Sequence, residues 1–261
     1  MLAVVERIAV GSQIRVLSLP APETERVFLI KGHVVQMWFS EGDRLLTVFT
    51  SQSRKVWDLE SGELIESSEH RLPLADLPDA SDALGWSLSQ KGAFVFRQEN
   101  PASDVTIITM SRLGGDTVLT RFAGETIGAA SVAISPDGGS LLVGNWAPGA
   151  EEWSLQQGRP VGHFAANLPW SRAVEYSRDG GWAVIGDDAG SVGFWDRSSH
   201  EKLSDLKVEG PVYDLSFSPK GDRLAVGSEE GVTLWDVSQG RPVLVRAYDN
   251  SNLIQNGTVT F

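Results

Sequence analysis

Histidine is the side chain that most often carries acid–base or metal chemistry near neutral pH. The 261-residue chain contains four, which are His33, His70, His163 and His200. None is spaced from another as in an HxH or HExxH metal motif, and no cysteine is present to complete a zinc site or a disulfide. The sequence therefore predicts no catalytic histidine, no metal and no cofactor, and we expect the histidines to be structural.

Paired acids form the second set of chemically capable residues. Glu151–Glu152, Asp187–Asp188 and Glu229–Glu230 each follow a short apolar run, and we interpret them as loop residues that lie side by side on one rim. Such a rim would attract a basic segment of a partner protein. The alternative is that these are ordinary solvated loop acids in a chain whose net charge is −12.

Two tryptophans lie in loops near these acids. Trp146 is in the loop Asn145–Gly149, and Trp170 precedes Arg172 in another. Tryptophan and arginine often contribute about 2 kcal/mol or more each to protein interfaces. The candidate partner-binding residues are therefore Trp146, Trp170, Arg172, Glu151, Asp187, Asp188, Glu229 and Glu230. The alternative is that each tryptophan folds back onto its own strands.

Short strands must position these loops. From Gly210 to Asp236, three apolar runs alternate with polar turns, and Ser218–Gly221 has proline and glycine where a tight turn needs them. The segment from Arg172 to Asp196 repeats this pattern about forty residues earlier, and both segments end in Trp-Asp. Repeats of this length, built from short strands, are typical of the blades of a β-propeller.

Further copies of the pattern predict an all-β fold, with about six four-stranded blades in a single domain over residues 1–261. The expected blades are 1–31 with 252–261, 32–66, 78–123, 126–165, 168–206 and 209–247. The first copy lacks its opening strand, and Val259–Phe261 matches the opening strand Leu215–Phe217 of the last full copy. We therefore expect the C-terminal strand to complete the N-terminal blade and close the ring. The alternative is a fragment of a longer propeller, cut within a repeat.

In its Trp-Asp pairs and repeat length, the chain resembles the WD-repeat (Trp-Asp repeat) β-propeller family over nearly its full length. In that family a Gly-His pair opens a repeat, and its histidine joins a buried hydrogen-bond network that reaches the blade tryptophan. The resemblance therefore implies structural roles for His33, Trp57, Asp58, Trp153, His163, Trp195, Asp196, Trp235 and Asp236. The chain departs from the family at Ala189, which stands where an aspartate belongs in the turn between the second and third strands.

The leading interpretation is a non-catalytic scaffold or adaptor that presents blade loops to a partner protein or peptide, as WD-repeat relatives mostly do. One alternative is a six-bladed propeller hydrolase or lyase, whose central channel would need carboxylates or histidines on the innermost strands, where the sequence predicts none. Another is a regulatory fragment of a larger signalling protein. The charge of −12 argues against nucleic acid as a partner. No apolar stretch reaches the length of a membrane span, and we expect a cytoplasmic protein.

Overall fold

The structure is a computed structural model. It describes residues 1–8, 11–17, 25–31, 34–40, 44–50, 53–69, 83–89, 92–102, 105–112, 118–124, 129–145, 149–164, 170–249 and 259–260. These residues contain no helix long and apolar enough to span a membrane.

All the regular secondary structure in the described ranges is β-strand. The strands are β1 (Leu2–Ile8), β2 (Gly11–Leu17), β3 (Glu25–Ile30), β4 (Val34–Ser40), β5 (Leu45–Thr50), β6 (Ser53–Asp58), β7 (Leu64–Glu69), β8 (Ala83–Ser89), β9 (Gly92–Ala102), β10 (Val105–Arg112), β11 (Val118–Gly124), β12 (Ala129–Ile134), β13 (Ser140–Asn145), β14 (Ala150–Ser154), β15 (Arg159–Phe164), β16 (Ser171–Tyr176), β17 (Trp182–Asp187), β18 (Ser191–Asp196), β19 (Lys202–Lys207), β20 (Val212–Phe217), β21 (Arg223–Ser228), β22 (Gly231–Asp236), β23 (Val243–Asp249) and β24 (Val259–Thr260).

Within the part of the chain that the structure describes, these strands form six antiparallel four-stranded sheets. We number the sheets in chain order: the first contains β1–β3 with β24, the second β4–β7, the third β8–β11, the fourth β12–β15, the fifth β16–β19 and the sixth β20–β23. The opening strands of the sheets contact one another in the order β8, β12, β16, β20, β24 and β4, so they are the innermost strands. Sheets stacked through their innermost strands form a β-propeller, which is the fold that the repeats predict.

The first sheet is built from both ends of the chain. β24 pairs with β1 through Ala3↔Thr260 and Val4↔Val259, in the position that the sequence predicts for the C-terminal strand. Val259 is buried in a cluster that joins two sheets, with Leu2, Val4 and Leu17 of the first and Ala225, Val232 and Leu234 of the sixth. The C-terminal strand therefore completes the first sheet and packs it against the sixth.

Consecutive apolar residues appear in the middle strands because each sheet is covered on both faces. Leu141–Val143 and Leu224–Val226 are fully buried runs. Neighbouring residues of a strand point to opposite faces, so one side chain packs against the preceding sheet and the next against the following sheet. Fully burying each such side chain contributes about 1.5–3 kcal/mol.

Serine and aspartate side chains hold the turns between the first two strands of the fourth, fifth and sixth sheets. Ser177 Oγ donates to Asp179 Oδ1 at 2.6 Å and accepts the Trp182 amide at 2.9 Å. The aspartate of Trp-Asp holds the next turn, since Asp196 Oδ1 accepts the Ser198 and Ser199 amides at 2.9 Å. The Ser198 hydroxyl also donates to this oxygen, at 2.6 Å, and with the two amides it holds the pKa of Asp196 below its usual range. The pKa of Asp236 is lowered by the Ser238 hydroxyl and amide, and that of Asp58 mainly by the Ser61 amide and Arg44.

Candidate interaction surface

An arginine between two aromatic rings marks the rim where the fifth and sixth sheets meet. The guanidinium of Arg172 lies 5.7 Å from the ring centre of Trp170 and 5.6 Å from that of Tyr213. Arg172 and Tyr213 are the second residues of the innermost strands β16 and β20, so the repeat brings them side by side. Cation–π contacts of this kind contribute about 0.5–1 kcal/mol at exposed sites.

Acidic side chains surround this stack. Arg172 forms an ion pair with Asp188, whose amide donates to the Trp170 carbonyl at 3.2 Å. Glu229 and Glu230 are exposed in the equivalent turn of the sixth sheet. Burial raises the pKa of Tyr213, and the carboxylates of Glu229 and Asp188 act in the same direction, so its hydroxyl stays protonated at neutral pH.

The rim therefore contains an exposed aromatic side chain, a positioned guanidinium and an excess of carboxylates. Trp170 is 38% exposed, although it sits beside Arg172. We name Trp170, Arg172, Asp188, Tyr213, Glu229 and Glu230 the aromatic rim. The structure thus brings together five of the eight residues that the sequence selects. It adds Tyr213, which the sequence could have indicated, because an alignment of the repeats places Tyr213 at the same position as Arg172.

Asp187 lies apart from this surface although it precedes Asp188. It is 2% exposed, and its Oδ1 accepts the Ala189 amide at 2.7 Å and the Ser191 amide at 2.9 Å. Asp187 therefore holds the turn in place of the family aspartate that Ala189 replaces. A partner could not reach its carboxylate without opening that turn.

The third acidic pair is not in a loop, which corrects the expectation of three adjacent pairs. The loop after β13 is longer than its counterparts, so Glu151 and Glu152 fall inside β14. Glu151 is half-buried and accepts the Trp153 indole N–H at 3.0 Å. It therefore supports the blade tryptophan instead of lying on the rim.

Glu152 is buried at an apolar position of its repeat and has a half-buried partner from the next sheet. Its Oε1 accepts a 2.8 Å bond from Arg197 Nε. Arg197 also donates to Ser140 Oγ at 2.9 Å and lies 5.0 Å from the Tyr176 ring centre. The backbone irregularity next to Glu152 recurs before Trp57, Trp195 and Trp235, so it is a feature of the repeat and does not result from the acid.

The family resemblance implies a histidine buried in a hydrogen-bond network, and His163 does not lie in one. His163 is exposed on the outer strand β15, opposite Glu151, so it takes no part in a buried network. His200 packs instead, edge to face against Phe164 at 4.9 Å. A Cβ atom at Gly162 would collide with the His200 imidazole. His33, His70 and Trp146 lie outside the described residues.

The closing tryptophans lie within the sheets. Trp57, Trp153 and Trp195 are buried and Trp235 is half-buried. The Trp235 indole donates to Thr233 Oγ1 at 2.8 Å. In the fifth sheet the residue two positions before the tryptophan is Gly193, and the Trp195 ring lies directly over it. The structural role that the resemblance implies for these tryptophans stays a prediction.

Two carboxyl groups lie on innermost strands, where the sequence interpretation expects none. Burial raises the pKa of Glu175 on β16 and of Asp214 on β20 to about 7 in each case. Both accept backbone hydrogen bonds: Glu175 Oε1 from the Tyr176 amide at 3.1 Å, and Asp214 Oδ2 from the Val259 amide at 2.9 Å. Among the described residues, no three His, Asp or Glu side chains converge as a metal site would need.

Comparison with known proteins identifies relatives of the same architecture. A family model described as "WD domain, G-beta repeat" matches residues 201–236, which hold β19 and the first three strands of the sixth sheet. The chain is 25% identical to Protein groucho of Drosophila melanogaster over 80% of its own length, and 24% identical to THO complex subunit 3 of Arabidopsis thaliana over 77%. It is 22% identical to eukaryotic translation initiation factor 3 subunit I of Bombyx mori over 83%.

The chain spans 25% of the length of Groucho, 62% of THO complex subunit 3 and 68% of the initiation factor subunit. The match at 201–236 contains the outer strand of one sheet and three strands of the next, so the sequence repeat is offset from the blade by one strand. This offset, the closing Trp-Asp pairs and the four-stranded antiparallel sheets all agree with one assignment. In each of these features the chain is similar to WD-repeat β-propellers, whose repeat model matches residues 201–236.

Proposed function

We propose that this protein is a non-catalytic scaffold or adaptor that binds a partner protein or peptide through the aromatic rim. The names of two relatives support an interaction role in general terms, because THO complex subunit 3 and initiation factor 3 subunit I are named as subunits of larger assemblies. The carboxyl groups of Glu175 and Asp214 on the innermost strands accept backbone hydrogen bonds, which favours a structural role for them over a catalytic one.

The observation that carries the proposal is the exposed Trp170 held beside Arg172 and Tyr213. Aromatic and arginine side chains dominate the binding energy of protein interfaces when their geometry is fixed in advance. The ion pair with Asp188 fixes the guanidinium of Arg172, so little side-chain entropy would be lost on binding.

The charge of the rim favours a partner with a basic segment. Asp188, Glu229 and Glu230 outnumber Arg172, and the whole chain has a net charge of −12. Complementary charges raise association rates, and salt screens the effect. We propose the cytoplasm as the compartment, and we propose that the pairing of β24 with β1 closes the propeller ring.

Affinity capture with the intact chain tests the proposal. Trp170→Ala should reduce the recovery of specific partners without lowering the unfolding midpoint. The control is Leu29→Ala, which removes an exposed apolar side chain from the first sheet and should leave recovery unchanged. If Trp170→Ala lowers stability and leaves recovery intact, Trp170 is a packing residue and the rim is not the binding surface.

The charge component has a separate test. For a captured partner, replacing both Glu229 and Glu230 by glutamine should slow association, and the dependence of the rate on salt should weaken. An association rate that responds neither to salt nor to these substitutions would remove the basic segment from the proposal.

A further inference from the structure

Equivalent positions at two neighbouring sheet junctions hold different side chains. Between the fourth and fifth sheets, the side chain of Arg197 fills the space beside Ser140 and Glu152 and packs over Tyr176. Arg197 follows the Trp-Asp pair of the fifth sheet, Glu152 precedes the tryptophan of the fourth, and Ser140 opens β13. This junction is filled by one long side chain.

At the junction of the fifth and sixth sheets, the same three positions leave a groove. Val237 follows the Trp-Asp pair of the sixth sheet, and Phe194 and Trp182 take the places of Glu152 and Ser140. Valine is too short to fill the space that an arginine fills at the preceding junction. The result is an apolar groove of about 270 Å³, lined by Trp182, Phe194, Leu203, Ser204, Val237, Gly240 and Pro242.

The wall of the groove is ordered and reaches the surface. The Trp182 ring stands edge to face on Phe194, with ring centres 6.0 Å apart and planes at 88°. Leu203, on the outer strand β19, is 51% exposed. A volume near the lower end of the range for ligand pockets, about 300–1,000 Å³, suits one large side chain better than a whole small molecule.

A polar section of about 350 Å³ continues the groove and shares Trp182 and Val237 with it. Its cations are accessible. Lys220 is exposed and has no ion-pair partner among the described residues, and Arg178 donates only to backbone carbonyls, those of Phe217 at 3.0 Å and Ser218 at 3.4 Å. These two positive charges lie next to an apolar groove on a strongly acidic protein.

The acids of this section are already bound within their own turns. Asp179 Oδ1 accepts from Ser177 Oγ and the Gly181 amide, and Asp222 Oδ1 accepts from Ser218 Oγ. These bonds leave the negative charge of Asp179 and Asp222 in place, so the section holds two acids and two cations. The groove therefore offers an apolar wall beside two accessible cations whose neighbouring acids are held within their own turns.

We propose that this groove, which we name the Trp182 groove, binds an extended peptide segment of a partner protein in which a large apolar side chain is followed by a carboxylate. The apolar side chain enters between Trp182, Phe194 and Leu203, as Arg197 enters the preceding junction. The carboxylate then pairs with Lys220 and Arg178. Trp182 and Asp187 are opposite ends of β17, so this site is separate from the aromatic rim and does not depend on it.

Fluorescence anisotropy with labelled nine-residue peptides tests the proposal. The probe peptides have Leu, Phe or Trp at the centre, followed by two Asp, in a Gly-Ser background. We expect at least one of them to bind with a Kd below about 1 mM, and a Ser centre to abolish its binding. Replacing the Asp residues by Asn should weaken binding to the wild type but have little effect on Lys220→Glu.

The repeat supplies a matched control variant. Leu203→Glu places a charge at the groove and should weaken binding about tenfold or more. Val161→Glu makes the same change at the equivalent outer position of the fourth sheet, where Val161 is 43% exposed and Arg197 fills the junction, and it should have no effect. Trp170→Ala should also leave peptide binding unchanged, which separates this site from the proposed function.

Three results would overturn the inference. One is that none of the probe peptides saturates the protein below about 1 mM. Another is that Leu203→Glu and Val161→Glu weaken binding equally, which would indicate a general charge effect. The third is that peptides with Asn bind as well as those with Asp.

Discussion

Replacing Arg197 by valine would leave the Glu152 carboxylate without its partner inside the junction of the fourth and fifth sheets. Glu152 is 4% exposed and its Oε1 lies 2.8 Å from Arg197 Nε. Breaking a buried ion pair by removing one partner typically costs about 3–5 kcal/mol, because the remaining charge has lost its water as well. We expect Arg197→Val to lower the free energy of unfolding by this amount.

Replacing the other partner, Glu152, should lower the free energy of unfolding by less. Glu152→Leu leaves the guanidinium with Ser140 Oγ, the Tyr176 ring and partial access to water. The loss should be about 1.5–3 kcal/mol, the range for a hydrogen bond to a charged group.

The double variant distinguishes the ion pair from simple packing. Glu152→Leu with Arg197→Val reproduces the apolar pattern of the sixth sheet, where Leu234 and Val237 occupy the equivalent positions. Replacing a buried pair by apolar residues of similar volume is often close to neutral, but valine leaves much of the space of Arg197 empty. The double variant should therefore be less stable than the wild type but more stable than Arg197→Val alone.

Urea unfolding, followed by tryptophan fluorescence and by far-ultraviolet circular dichroism, measures all four proteins. Coincident transitions from the two probes justify a two-state treatment. Arg197→Val alone should also lower Tm by roughly 10 °C. A loss below about 1 kcal/mol in Arg197→Val, or a double variant as unstable as the sum of the two singles, would refute the reasoning.

Three further predictions concern other parts of the fold. The folded-state pKa values of Glu175 and Asp214 are raised to about 7. The folded protein therefore holds these two protons more tightly than the unfolded chain does. The free energy of unfolding should fall by about 1.4 kcal/mol per pH unit for each group as the pH rises from 5 to 7. Asp214→Asn should roughly halve that slope in urea titrations at several pH values, and a flat wild-type profile would contradict the assignment. Trp195→Ala should cost about 3–5 kcal/mol in thermal and urea unfolding because the ring is buried, and unchanged melting would argue against its place in the repeat. Val259→Asp puts a charge into the cluster that joins the first and sixth sheets, so backbone amides of β1 should exchange with deuterium faster than in the wild type, and unchanged exchange would show that β24 does not hold β1.

The features that local sequence decides were predictable. The turn at Ser218–Gly221 and the pair Trp195–Asp196 recur at a fixed spacing, and each is stabilised mainly within its own repeat. The pairing of β24 with β1 was also predictable, because the missing opening strand of the first copy left one position to fill.

Contacts between repeats were harder to predict. Glu152 stands out in its strand, but its partner Arg197 is 45 residues away in the next repeat. The repeat pattern shows that a carboxylate occupies an apolar position, but it does not show which residue pairs with that carboxylate. The acidic rim was misjudged for a related reason, since one longer loop moves Glu151 out of the turn and into β14.

The composite first sheet has a consequence for biosynthesis. The hairpin of β1 and β2 leaves the ribosome before the other sheets, yet the strand that covers its inner edge is translated only after those five sheets. Until then the nascent N-terminal sheet has an open edge to which a strand of a neighbouring polypeptide could add. Assembly should therefore end with the N-terminal sheet, and chaperone binding during synthesis should concentrate on it.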